Sequence, residues 1–214
     1  MYRAAIIGCG FIGVKAPDNH LQAYLDCEDV ELVAVCDKQP TITNRWVRYK
    51  DMVKHERLDI VSVCTPPETH REIVCDIAPY VKAIYCEKPI ALTLEDADTM
   101  IETCARYNVI LQVNHQRNFM RPKFRYSRGI INTGTHMFAL IQHLFRDDIE
   151  VDIEAVDTEE PVFELDCTHN RDPMIIQGVK HLVSCLNDKK ESVCSGEVAR
   201  EALRRALEYS TQTV

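Results

Sequence analysis

Gly8, Gly10 and Gly13 stand in the spacing G-x-G-x-x-G directly after the short apolar run Ala4 to Ile7. In that pattern the first glycine allows a tight turn from strand to helix, and the second lets backbone N–H groups approach a pyrophosphate. The third lets the following helix pack closely on the strand, its N-terminus facing the phosphates. Phe11 and Ile12 lie inside the turn and count with the glycines as cofactor contacts. Asp37 closes a later apolar run, Glu31 to Cys36, near the offset of roughly 20 residues at which an acid binds the adenosine ribose hydroxyls. A carboxylate there repels a 2′-phosphate and favours NAD, while Lys38 beside it keeps NADP open. The plainer reading of Asp37 is a strand-end cap.

Two further clusters carry chemistry. Thr65, Pro66, Pro67 and His70 follow the run Ile60 to Cys64, and Glu87, Lys88 and Pro89 follow Ala83 to Cys86. A glutamate and a lysine where a buried strand has just ended suit a ligand cleft better than a core, although an exposed loop lysine would look the same. Pro89 sets the turn that aims them, and the isomer of its peptide bond is open in the sequence.

These clusters must be positioned by the elements between them. Strand-like runs at Ala4–Ile7, Glu31–Cys36, Ile60–Cys64, Ala83–Cys86 and Val109–Val113 alternate with helical segments. Near-continuous apolar strands separated by helices predict a parallel sheet covered on both faces, with the motifs at its carboxyl edge. A helix is expected to follow Gly13, and a much reduced one to lie between Asp37 and Asp59. Thr65-x-x-Glu68 and Thr93-x-x-Asp96 look like helix-capping boxes. Beyond Asn114 the pattern changes. A helix is predicted over residues 133–145, a hairpin from Val151–Asp157 and Val162–Asp166, and two closing helices, one carrying Ile175 to Leu186 and one after Ser195. The fold expected is α/β: a doubly wound parallel sheet over residues 1–118, then a reduced α+β domain over 119–214.

The 214 residues carry a net charge of −8, with 46% hydrophobic and 27% charged residues. This acidic balance, with scattered Lys and Arg, argues against a nucleic-acid footprint. The apolar runs all fall short of the ~20 residues of a membrane span. Met1-Tyr2-Arg3 runs straight into the first strand, so a leader is not expected and the chain reads as cytoplasmic. The ten cysteines include no C-x-x-C pair and read as reduced, mostly buried small hydrophobes; no metal site is expected.

Gly8-x-Gly10-x-x-Gly13, Asp37, Thr65-Pro66-Pro67-x-x-His70 and Glu87-Lys88-Pro89 occur in the order and rough spacing of the Gfo/Idh/MocA family. The stretch Asn114 to Phe119 resembles the family's segment after its fifth strand, and Gly129 to His136 resembles the start of its catalytic helix. The resemblance implies hydride transfer between a nicotinamide and a hydroxyl-bearing carbon of a sugar, sugar acid or cyclitol. It implies that Lys88 hydrogen-bonds the reacting hydroxyl and that His136 takes its proton, with the amide of Asn132, four residues earlier, orienting the substrate or the histidine. An imidazole suits proton transfer because its ordinary pKa, about 6.5, lies near working pH. His115 is placed beside the nicotinamide. Many members have Asp where Asn132 stands, and an amide supplies no charge to stabilise an imidazolium; a plain helix N-cap is the other reading of Asn132. His143 and His181 read as helix-face residues.

The second domain is also short for the family, with no evident room near Arg125 and Tyr126 for the usual first strand of its sheet. Beside the oxidoreductase reading stand two others: a catalytically silent NAD(H)-binding sensor, and a protein that uses the fold only to scaffold a partner. The partners expected are a small carbohydrate-like substrate, neither nucleic acid nor membrane, with homo-oligomerisation left open.

Overall fold

A computed structural model describes residues 1–39, 46–115, 123–126, 152–156, 162–166 and 173–212. Five parallel strands, β1 (Tyr2–Ile7), β2 (Val30–Cys36), β3 (Ile60–Val63), β4 (Ala83–Cys86) and β5 (Ile110–Val113), form one sheet in the order β2-β1-β3-β4-β5. The chain reverses direction across the sheet at β1, so the crevice beyond the carboxyl ends of β1 and β3 is the topological switch point where open α/β sheets take ligands. The clusters at residues 8–13, 37, 65–70 and 87–89 all follow strands at this edge.

Alternation along the strands divides the core. Ala5, Ile7, Val61, Val63, Ile84 and Cys86 share one apolar cluster with residues of α2 (Tyr49–His55), α3 (His70–Ile77) and α4 (Leu94–Arg106). Ala4, Ile6, Ile60, Ala83 and Tyr85 face the other side with α1 (His20–Leu25) and Ile175, Val179 and Leu182 of α5 (Met174–Asp188). Thr93 caps α4 as predicted, its side chain accepting from the Asp96 N–H.

The chain forms two compact units, Met1–Asn118 with Ile175–Val214, and Phe119–Met174. The closing helices, expected within a domain spanning 119–214, therefore belong to the first unit. The reason is the sheet, which needs both faces covered. α5 packs in the cluster containing Ile6 and Tyr85, with its Ile175 N–H donating to Asp18, while Ala199 of α6 (Gly196–Gln212) joins the opposite cluster.

Three other expectations are corrected. The helix after Gly13 is a single π-helical turn, Phe11–Lys15, stopped at Ala16 before Pro17, and α1 starts anew with the Asn19 side chain accepting from Gln22 N at 2.9 Å. Thr65 is no cap: Pro67–Thr69 form a 3₁₀ turn leading into α3. Finally, β7 (Asp152–Ala155) and β8 (Phe163–Asp166) do not pair with each other. Both flank β6 (Lys123–Tyr126), β7 parallel and β8 antiparallel, so a strand does stand at Arg125 and Tyr126. Cross-strand charge helps fix that register: Lys123 Nζ lies 2.5 Å from Glu154, and Arg125 lies 2.9 Å from Glu164. The predicted helix over 133–145 lies outside the described residues.

Candidate active site

The glycine turn is built by sterics. Gly8 sits at φ +98°, and a Cβ there would fall 2.7 Å from the backbone of Cys64. A Cβ on Gly13 would fall 2.1 Å from the carbonyl oxygen of Gly8. On Gly10 it would meet nothing within 4 Å, so this position opens onto free space at the sheet edge. The first and third glycines thus let the turn close on itself, and the second leaves room for something outside it. Asp37 stands beside the turn, its carboxylate accepting from Cys9 N at 2.6 Å and Gln39 N at 2.8 Å. The carboxylate thus uses both oxygens to brace the turn, beside the opening at Gly10. Burial, with the Asp37 charge added, pushes the Cys9 thiol up to about 11. The nine described cysteines are free, and Cys64 and Cys86, at the ends of β3 and β4, are raised well above the usual thiol range by burial. They act as the small hydrophobes expected.

His70 is fully buried and does not face the cleft. Its Nε2 lies 2.8 Å from the Thr65 carbonyl and its Nδ1 3.1 Å from that of Pro89, so the ring ties the Thr65-Pro66-Pro67 loop to the Glu87-Lys88-Pro89 turn. Within that turn the Lys88–Pro89 bond is cis, Lys88 is exposed, and Glu87 points inward at 6% exposure. Lys88 has no ion-pair partner among the described residues. His115 follows β5 at the same edge, and its Nε2 is buried without a hydrogen-bond partner among the described residues. Burial lowers the His115 imidazole, opposed by the Glu87 charge and assisted by that of Lys88.

Behind Glu87 lies a set of residues that the motif reading missed. His20 Nε2 is 2.9 Å from Glu87 Oε1, and Asn114 Nδ2 donates to the same oxygen at 2.6 Å. Ser62 Oγ lies 2.8 Å from His20 Nδ1 and 2.7 Å from the Tyr24 hydroxyl, while Tyr85 Oη donates to Asn114 Oδ1 at 2.7 Å. All six residues are buried. Burial alone would raise the Glu87 carboxyl, but His20, Asn114 and the Lys88 N–H outweigh it and hold it below the usual carboxylate range. A signal for this network exists in the sequence. Ser62, Tyr85 and Gln112 interrupt three apolar strands, and the register aligns them in one row across β3, β4 and β5.

These residues fit a dinucleotide: a space at Gly10 that a side chain would fill, a carboxylate at Asp37 beside it, an exposed lysine, and an orphaned buried nitrogen on His115. Asn132 and His136 lie outside the described residues. A cavity of about 710 Å³ opens elsewhere, at the amino ends of β4 and β5 among Lys82, Ile101, Leu111 and Gly196, away from every motif. Among the described residues no helix is long and apolar enough to cross a membrane, and no cluster of metal-ligating side chains occurs.

D-apiose dehydrogenase of Paraburkholderia graminis is 36% identical over 123 residues, covering 53% of this chain and 32% of that protein. 2,7-Anhydro-N-acetylneuraminate hydratase of Mediterraneibacter gnavus is 31% identical over 156 residues, covering 68% of this chain and 40% of its own length. The chain thus spans well under half of these relatives. The crystal structure of myo-inositol 2-dehydrogenase from Lactobacillus plantarum shares the fold with a TM-score of 0.67 at 15% identity, over 96% of this chain and 95% of that one. The sequence profile of the oxidoreductase family with an NAD-binding Rossmann fold matches residues 2–115, more than half of the chain, which therefore belongs to the Gfo/Idh/MocA family.

Proposed function

We propose that the chain is an NAD(H)-dependent oxidoreductase acting on a hydroxyl-bearing carbon of a sugar, sugar acid or cyclitol. The observation that carries this is the convergence on one sheet edge of the open glycine turn, Asp37, exposed Lys88 and the His115 nitrogen. The named chemistry of the relatives, a sugar dehydrogenase and an enzyme of a sugar-acid derivative, supports the substrate class.

In this reading the N–H groups of the turn around Gly10, Phe11 and Ile12 hold the pyrophosphate, Asp37 accepts from the adenosine ribose, and Thr65, Pro66 and Pro67 wall the cleft. Lys38, next to Asp37, is the residue through which NADP would be tolerated. The nicotinamide, when bound, supplies the hydride acceptor. Lys88 donates a hydrogen bond to the substrate hydroxyl and lowers its pKa, and His136 accepts the proton that leaves it. Asn132 orients the histidine or the substrate by its amide. His115, just beyond β5, borders the nicotinamide end of the cleft.

The test is calorimetric titration with NAD⁺, NADH and NADP⁺, followed by an absorbance screen at 340 nm against sugars, sugar acids and cyclitols. Binding with turnover is the expected result. Binding without turnover across a broad panel would make the chain a nucleotide sensor, and absence of binding would reduce the glycine turn to a feature of the fold.

A further inference from the structure

The six-residue network converges on one carboxylate oxygen. Glu87 is held in its ionised form, so both groups on Oε1 must donate to it: Nε2–H of His20 and Nδ2–H of Asn114. Behind it, His20 Nδ1 meets the Ser62 hydroxyl, which also meets the Tyr24 hydroxyl. On the other side Tyr85 donates to Asn114. Hydrogen bonds linked in such chains polarise one another in a low-dielectric interior. The two arms begin on α1 and β4 and end at the residue preceding Lys88.

We propose that His20 and Asn114 are positioning residues for the Glu87 anion, and that this anion, held behind Lys88, favours the positively charged nicotinamide of NAD⁺ over the neutral ring of NADH. The proposal rests on the cofactor reading above. Its physical basis is that a fixed negative charge at the edge of a partly desolvated cleft discriminates between ligands that differ by one positive charge. The groups facing Glu87 are His20 from α1, Cys64 beyond β3, Tyr85 and Cys86 from β4, Lys88 in its own turn, and His115 beyond β5. Of these, His20 is the one whose ring touches the carboxylate, so it is the point at which to cut.

The experiment has two readouts on the full chain. In protein labelled with carboxyl-¹³C glutamate, the Glu87 signal is identified by its loss in Glu87→Gln and followed against pH by NMR. In the unsubstituted chain it should titrate below the ordinary glutamate value of about 4.3. His20→Phe, which keeps a ring against Tyr85 but donates nothing, should raise that midpoint by at least about one unit, and His20→Gln should bring most of it back by restoring an amide donor. Should His20→Phe fail to fold, Asn114→Leu removes the second donor without touching α1 and must raise the same midpoint. Calorimetry at pH 7 supplies the second readout: Glu87→Gln should weaken NAD⁺ by about tenfold and NADH by less than about threefold. A midpoint unmoved in the donor-deleting variants overturns the positioning role, and equal losses for NAD⁺ and NADH overturn the charge role. A chain that titrates Glu87 as expected but binds neither nucleotide overturns the cofactor reading, and the charge role with it. A chain that binds both while Glu87 stays unmoved overturns this inference alone.

Discussion

Gly178→Ala should destabilise the protein although alanine is the better helix former. Gly178 lies in α5 where it crosses β4, and a Cβ there would fall 2.0 Å from the Tyr85 hydroxyl oxygen and 2.8 Å from the ring carbon that bears it. Tyr85 cannot easily swing aside. It is fully buried, donates to Asn114, and meets the His20 ring edge-on with centroids 4.9 Å apart. The helix must move instead, by roughly 1.5 Å if the contact is to become an ordinary van der Waals one. That movement pulls on the bond from Gln112 Nε2 to the Gly178 carbonyl, 2.9 Å, and on the anchor of Ile175 N to Asp18. Overpacking of this kind costs about 1–3 kcal/mol, and the alanine offsets it by up to ~1 kcal/mol of helix propensity. The expected net is a loss of about 1–2 kcal/mol, a fall in Tm of roughly 2–8 °C by scanning calorimetry for a chain of this size. Tyr85→Phe alone should also destabilise, by about 1–3 kcal/mol, because Asn114 Oδ1 loses its donor inside the core. Combined with Gly178→Ala it should cost less than the two changes added, since removing the hydroxyl makes room for the methyl; the ring carbon still crowds it, so relief is partial. A Gly178→Ala protein as stable as the original, or a double variant with strictly additive losses, would refute the packing argument.

Lys88→Ala should leave the Kd for NAD⁺ within about threefold while lowering turnover by ~10²–10⁴, read at 340 nm; equal turnover would remove Lys88 from the chemistry. Thr93→Ala should cost about 1 kcal/mol in urea unfolding, because the Asp96 N–H loses its cap. Asp76 titrates low because Lys50 and Tyr49 hydrogen-bond it strongly enough to outweigh burial. Its contribution is therefore present above the unfolded value of about 3.9 and is lost as pH falls through the lower folded value, so Tm against pH should be less steep below about pH 4 in Asp76→Asn.

Much of the first unit was legible because its strands are buried on both sides and read as unbroken apolar runs; Ala83–Cys86 was placed to the residue. The glycine turn was legible for the reason that makes it work, since Gly8 and Gly13 admit no Cβ. The break after Lys15 was not foreseen, although Pro17 and the capping Asn19 both signal it. The second sheet was misread because a hairpin pattern records only that two strands alternate, not which neighbour each takes. Lys123-Phe124-Arg125-Tyr126 left no evident room for a strand, yet its alternation is that of a central strand, with Phe124 buried and the two cations paired to acids on β7 and β8. The return of α5 and α6 to the first sheet follows from a tertiary need that local periodicity does not carry. At the site, motif spacing brought forward Glu87 and Lys88 but not His20, because a histidine beyond the glycine turn has no motif value until β3, β4 and β5 are in register.

The neighbouring residues Glu87 and Lys88 divide the site between them, and energetics argues that the buried half is not there for stability. A carboxylate taken out of water carries a large desolvation cost, which well-placed donors offset but seldom exceed, and an apolar side chain of similar volume would serve the core as well or better. Here five further buried polar residues are committed to satisfying one carboxylate, at the end of a strand whose other residues are apolar or, like Tyr85, part of the same network. The network also sits at the carboxyl edge rather than at mid-sheet, where ligands of open α/β sheets bind. A fold selected for packing alone has no use for that arrangement. A cleft that must keep a negative charge fixed beneath an exposed lysine does, because the same donors that satisfy Glu87 also prevent it from swinging out to neutralise Lys88.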